Sequence, residues 1–217
     1  MEIVYMDKRI LVAVKPAGVL STDEPGGMPQ LLRQELGDEN ACVRTVHRLD
    51  AAVSGLMVFA RSAKASSLLS EQIRAHQFQK EYLAVVRGLP PASGTLRDLL
   101  GRDKTRRITY VAQEPGKDVR SAELSYHVLE RQQELSLVQI SLHTGRTHQI
   151  RVQFASRGFS VLGDRKYGPV GEETFPIALW SWRLRFTHPE SGESMDFSIL
   201  PPKEVPWDRF TCFPDIP

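Results

Sequence analysis

"HRLDAAVSGLMVFARS", residues 47–62, is the stretch on which the reading of this chain turns. His47, Arg48 and Asp50 give way abruptly to the small residues Ala51 and Ala52. Ser54-Gly55 then leads into the apolar run Leu56-Met57-Val58-Phe59-Ala60. A short apolar run bounded by turn formers reads as a buried strand. Asp50 therefore stands at the mouth of a core strand. It is either a loop residue answering a local charge or a reactive carboxylate on a rigid mount.

Working outward, the chain opens as a hairpin, Ile3 to Tyr5 and Ile10 to Val14, stopped by Lys15-Pro16-Ala17-Gly18 because proline and glycine break ladder pairing. Residues 21–29 form a loop, and Gln30 to Leu36 reads as a short amphipathic helix ended by Gly37. Ser62 is placed to cap a helix over about residues 63–75 whose apolar face carries Leu68, Leu69, Ile73 and Ala65. "KEYLAVVRGLP" reads as a strand from Glu81 to Arg87. Residues 92–121 are a polar, basic excursion, a hairpin or a long surface loop. Two alternating strands follow, Ala122 to Glu130 and Leu135 to Leu142. "THQIRVQFASRG" reads as a helix closing at Gly158, and Trp180 to Thr187 with Ser194 to Ile199 make a last strand pair. No repeat or low-complexity linker divides the chain. The expectation is an α+β fold: a single domain, residues 1–217, with a central mixed, mostly antiparallel sheet and flanking helices.

Composition narrows the class. The 217 residues are 41% hydrophobic and 25% charged, which points away from disorder and from fibrous proteins. No apolar stretch approaches the roughly 20 residues that span a bilayer, and the N-terminus lacks a signal-peptide pattern. The two cysteines, Cys42 and Cys212, lie far apart and form no CxxC. A cytoplasmic protein with no membrane partner is expected. The net charge of +2 argues for no partner, but its distribution does. From Leu142 to Gly163 there is no carboxylate, while Arg146, Arg151, Arg157, His143 and His148 all occur there. Such a zone can bind a polyanion; a solvated arginine face is the bland alternative.

"HTGRTHQIR", residues 143–151, is the second dense cluster: a strand end, a Thr-Gly turn and a helix start that aim backbone N–H groups and arginines at one place, suited to a phosphate or carboxylate. A metal site is disfavoured, because no acidic or cysteine ligand is in sequence reach and the arginines would repel a cation; His143 and His148 read as capping or packing residues. Ser54-Gly55 sits in no G-x-S-x-G elbow, and neither a Walker loop nor G-x-G-x-x-G is present, so neither a serine hydrolase nor a nucleotide cofactor is indicated. Asp50 stands as the strong acidic candidate among several cations.

The motif of residues 47–62 resembles the signature of RluA-type pseudouridine synthases: H-R-L-D, small residues, S/T-G and an apolar strand. "DKRILVAVKPAGVLS" is similar to that family's first block, "KEYLAVVRG" to its third, "TGRTHQIRVQFASRGFSVLGDRKYG" to its fourth and "LWSWRLRFTHPESG" to its last. The blocks run in family order from about residue 7 to residue 199, and five ordered matches are specific where one would be only suggestive. The resemblance implies an α+β catalytic domain with a cleft across its sheet. It also implies isomerisation of uridine to pseudouridine in RNA without cofactor or metal, on a structured stem-loop of ribosomal or transfer RNA, by a monomer.

The resemblance also implies roles. Asp50 is the carboxylate that acts as nucleophile at the sugar or as base at C2′; the sequence leaves both open. Arg146 pairs with the aspartate and orients it, and the ring of Tyr82 lies against the target base. Arg48 reaches into RNA where the uridine is flipped from its stack, and His47 beside it is expected to bind substrate as well. Leu179 and Ile177 wall the base, and Lys80 and Lys15 are phosphate contacts or strand-end charges. Apart from the resemblance, Arg151 and Arg157 of the basic zone, with Arg106 and Arg107 of the excursion, are placed for phosphates. Two positions depart from the pattern: Gln153, where histidine is common, and Leu179-Trp180-Ser181, where L-H-A is common. Only about six residues precede the first block, so the catalytic domain is expected to find its RNA alone, through the basic zone and the 92–121 excursion. The competing reading is a catalytically idle RNA-binding module with the same fold. A carboxylate-dependent glycosidase would want a second acid, and none is evident.

Overall fold

A computed structural model describes residues 1–169 and 175–216. The chain forms two compact units, Met1–Lys80 with Trp180–Ile199, and Glu81–Leu179 with Leu200–Ile216. The strands are β1 (Ile3–Met6), β2 (Ile10–Lys15), β3 (Arg44–Thr45), β4 (Ser54–Ala60), β5 (Gln79–Arg87), β6 (Ser93–Asp103), β7 (Ile108–Ala112), β8 (Arg120–Gln132), β9 (Leu135–Leu142), β10 (Leu179–Thr187) and β11 (Ser194–Ser198). The helices are α1 (Met28–Glu35), α2 (Ala63–Arg74) and α3 (Gln149–Ala155). Strands are mixed but mostly antiparallel, which is the expected α+β class. No helix among the described residues is long and apolar enough to cross a membrane.

In the first unit β4 is the central strand. It pairs antiparallel with β2 along its length, and β1 continues that meander. Its other edge is shared: β10 pairs parallel with its first residues, Ser54 and Gly55, and β3 antiparallel with its last, Phe59 and Ala60. Flanked on both edges, β4 is buried from Gly55 to Ala60, as a continuous apolar run should be. Ser62 caps α2, its side chain accepting from the Ala65 N–H at 3.1 Å. The helix lays Ala65 and Leu69 on Ile10, Val12, Leu56, Val58, Leu184 and Phe186.

In the second unit β5-β9-β8-β6-β7 form an antiparallel array in which β5 lies beside β9 and β6 beside β8. Of the two readings of the basic excursion, the structure shows the hairpin. Eleven of its residues make β6, paired with β8 from Ser93 to Leu100, and β7 folds back on β6. Helix α3 is shorter than the 147–158 pattern suggested, because His148 takes a left-handed conformation (φ 56°) and Gly158 (φ 83°) ends the turns after Ala155. The segment after Ile199 packs Trp207 and Phe210 into this unit and is tied down at the carboxylate of Glu130, which accepts from the Thr211 and Cys212 N–H groups.

Candidate active site

Asp50 lies at a turn closed by the Val53 N–H donating to its carbonyl at 3.0 Å, and it is half-buried. The residues on both sides of it are held through their backbones. Ser21 Oγ donates to the Leu49 carbonyl (2.7 Å) and accepts from the Leu49 N–H (3.0 Å). Lys15 is wholly buried, and its Nζ donates to the carbonyls of Pro16 (2.8 Å), Val19 (2.6 Å) and Ala51 (2.9 Å). The Ala51 carbonyl also accepts from the Gly18 N–H at 2.8 Å. Burial pushes the Lys15 amine down to about 8, against the pull of the Asp50 charge, which raises it. A buried ammonium is costly unless its donors are satisfied, and here all three are. Lys15 is therefore no phosphate contact; it is the rivet that joins the K-P-x-G turn to the turn of Asp50. One sequence signal could have revealed it: a lysine that closes an otherwise apolar strand.

Gly55 explains the glycine that follows Ser54. Its φ is 115°, and a Cβ there would lie 2.3 Å from the Ser181 carbonyl oxygen and 2.5 Å from the Ser181 nitrogen. Only glycine lets β10 come this close to β4 immediately after the turn of Asp50.

His47 and Arg48 diverge although adjacent. His47 is buried, and its Nε2 accepts from the Val58 N–H at 3.1 Å. Burial first, and then the charge of Lys80, push its pKa down to about 3, so the ring is neutral. Because Nε2 accepts, the ring proton sits on Nδ1. His47 braces the turn against β4, and its expected role in binding substrate is corrected by this burial. Arg48 is exposed, with no hydrogen bond or ion pair among the described residues. Lys80, near the start of β5, is half-buried, and that burial lowers its pKa.

The second unit carries the other candidates. Tyr82 is buried on β5 opposite Ile140 of β9. Ile177 and Leu179 are buried as well, and between them Ala178 accepts from the Val85 N–H at 3.0 Å and donates to the Leu162 carbonyl at 2.9 Å. Arg146 is exposed on the turn before α3. Its Nε donates to the Ser121 carbonyl (2.9 Å) and its backbone N–H to Gln149 Oε1 (3.0 Å). Gln149 also accepts from Thr144 Oγ1 at 2.8 Å and donates to the Glu123 carbonyl at 3.1 Å. The Arg146 turn is thus laced to β8 by buried amide and hydroxyl groups that carry no charge, which is why charge-based reading passes over them.

Arg151 needs correction. Its Nε and Nη2 donate to the two oxygens of Asp164 at 2.8 and 2.7 Å, and both side chains are almost fully buried. A guanidinium whose fork is filled inside the protein is a structural group, not a phosphate contact. Arg157, counted with it in the basic zone, grips Asp98 at 2.9 and 3.1 Å. Gln153, where the family commonly has histidine, is fully buried and donates to the same Asp98 at 2.6 Å. His143 bonds Ser125 Oγ at 2.9 Å, and His148 stands at the start of α3.

Within the first unit the turn of Asp50 is pinned through its backbone on either flank, and within the second unit the turn of Arg146 is laced to a sheet. The chain belongs to the RNA pseudouridylate synthase family, whose model matches residues 9–156, and the RluA-type reading of its motifs stands. It is 36% identical to the uncharacterized RNA pseudouridine synthase YlyB of Bacillus subtilis (strain 168), over 94% of this chain and 70% of that protein. It is 34% identical to the ribosomal large subunit pseudouridine synthase D of Neisseria meningitidis serogroup A, over 94% of this chain but only 59% of that protein. Among solved structures, human RNA Pseudouridylate Synthase Domain Containing 1 superposes with a TM-score of 0.82 at 25% identity, covering 99% of this chain and 91% of that one.

Proposed function

We propose that this chain is one catalytic domain, residues 1–217, that isomerises a uridine in a structured stem-loop of ribosomal RNA to pseudouridine. The observation that carries the reading is the turn of Asp50, held by Lys15 and Ser21 on either flank inside an intact H-R-L-D motif. The relatives named for the large ribosomal subunit favour ribosomal over transfer RNA. The protein works as a monomer in the cytoplasm, where that RNA is.

In this reading the Asp50 carboxylate opens the N1–C1′ bond, the uracil turns, and C5 bonds to C1′. Arg146 is the cationic partner of Asp50, and the Tyr82 ring lies against the base and serves the final removal of the C5 proton. Ile177 and Leu179 give the base an apolar wall. Arg48, exposed beside the turn, fills the stack that the flipped uridine leaves, and Lys80 answers a phosphate.

The test is Asp50→Asn, which removes the charge and keeps the shape. It is expected to fold and bind RNA but to release no tritium from RNA labelled at uracil C5. Turnover within about tenfold of wild type, roughly 1.4 kcal/mol of barrier, would overturn the assignment of Asp50. RNA bound with no pseudouridine formed by the wild type would identify an idle binding module instead.

A further inference from the structure

The turn that carries Arg146 is held from a second side, by a residue to which the chemistry assigns no part. Tyr167 Oη lies 2.7 Å from His148 Nδ1 and accepts from the Thr109 N–H at 2.8 Å. The phenol and His148 Nδ1 share a hydrogen bond in which the imidazole tautomer sets the donor. Thr109 also donates through Oγ1 to the Thr147 carbonyl (3.0 Å), and Arg102 Nη1 donates to Thr147 Oγ1 (2.8 Å). Residues 147 and 148, directly after Arg146, are thereby fastened to β6 and β7.

His148 is the residue where this fastening matters. It stands at the start of α3 with φ 56°, a conformation that a residue with a Cβ adopts at a cost unless its surroundings hold it. That dihedral sets the angle at which the Arg146 turn leaves the helix. Tyr167 is itself fixed. Its N–H and that of Lys166 donate to Asp164 Oδ1, the carboxylate gripped by Arg151, and the Arg151 guanidinium lies 5.2 Å from the centre of its ring. Burial raises the Tyr167 pKa, so the hydroxyl keeps its proton at working pH.

We infer that Tyr167 is a positioning residue for the reaction: through its hydroxyl it holds His148 in the left-handed conformation that aims Arg146. This rests on the reading of Arg146 given above. It assigns the "DRKYG" end of the fourth block a function in turnover rather than in packing alone.

The experiment is a double-mutant cycle between Tyr167→Phe and Arg146→Lys, read as single-turnover tritium release at saturating enzyme, with filter binding of the same RNA. Phenylalanine keeps the ring and loses only the hydroxyl. Tyr167→Phe is expected to slow the saturated rate tenfold or more while affinity stays within twofold, and to add little to an Arg146→Lys enzyme that is already slow. Thr109→Val, which removes the bond to the Thr147 carbonyl by another route, is expected to slow turnover in the same direction. A Tyr167→Phe rate within threefold of wild type would overturn the inference and leave the Arg146 reading standing. Full additivity with Arg146→Lys would also overturn it, as damage unrelated to that arginine. If Arg146→Lys turned over normally, the Arg146 reading and this inference would both fall.

Discussion

The turn of Asp50 is held by neighbours, Lys15 and Ser21, that are buried and bonded to backbone. Gly55 sets the closest tolerance. Gly55→Ala would force a Cβ into the Ser181 backbone at a positive φ, and neither strand can yield without breaking the β4–β10 pairing. A loss of about 3 kcal/mol or more is expected in urea unfolding, from clash and dihedral strain together. Lys15 offers a pH test whose sign follows from linkage. Its pKa is about 8 in the folded protein against 10.5 for a lysine in water. Between those values the unfolded chain binds more protons than the folded one, so stability rises with pH. From pH 7.5 to 9.5 this group contributes about 2 kcal/mol of added stability, at about 1.36 kcal/mol per pKa unit. Methionine does not titrate, so wild type is expected to gain that much relative to Lys15→Met over the same interval. Parallel urea midpoints across the two pH values would contradict the buried clamp.

The elements of the second unit show what pattern reading leaves open: the excursion is the hairpin of β6 and β7, not a loop. Strand β6 reads as a polar excursion because its buried residues, Leu96, Leu100 and Gly101, do not alternate, and Arg97 and Asp98 sit in its middle. Those charges are answered from elsewhere, Arg97 by Glu123 of β8 and Asp98 by Gln153 and Arg157 from α3 and its end. The same cross-element pairing takes Arg151 out of the RNA-binding inventory. Arg151→Met leaves Asp164 buried without its cation, and removing one partner of a buried pair costs about 3–5 kcal/mol. The expected result is a large drop in the thermal midpoint with the salt dependence of RNA binding unchanged. A flatter salt slope at unchanged stability would restore Arg151 as a phosphate contact.

For the molecule as a whole, a net charge of +2 and a basic zone whose arginines are partly spent on Asp98 and Asp164 leave modest electrostatic attraction for a polyanion. Arg48 and the hairpin residues Arg106 and Arg107 remain exposed, and affinity is expected to rest on such arginines. Replacing Arg106 and Arg107 together with alanine is expected to weaken binding to all RNAs and to lower the slope of log K against log salt by about 1.5, at roughly 0.7–0.9 per phosphate contact. Arg48→Ala is expected to slow the saturated rate on structured stem-loops more than it weakens affinity, since extruding a base costs a few kcal/mol. Filter binding across a salt series, paired with single-turnover rates, separates the two; an affinity loss alone at Arg48 would make it an ordinary phosphate contact.

From the sequence alone came the family, through five motifs in order, and with it the fold class. So did most of the elements, because strand and helix periodicities and caps such as Ser62 act over a few neighbouring residues. The place of Asp50 before a buried strand was legible too, since its turn and strand are contiguous. What only the tertiary structure decided is which polar residues serve the surface and which serve the interior. Lys15 meets Ala51 across 36 positions, Arg157 meets Asp98 across 59, and Thr109 meets Tyr167 across 58. An arginine before its carboxylate partner is known looks free to hold a phosphate. Burial and pairing are properties of distance in space, and no local pattern encodes them.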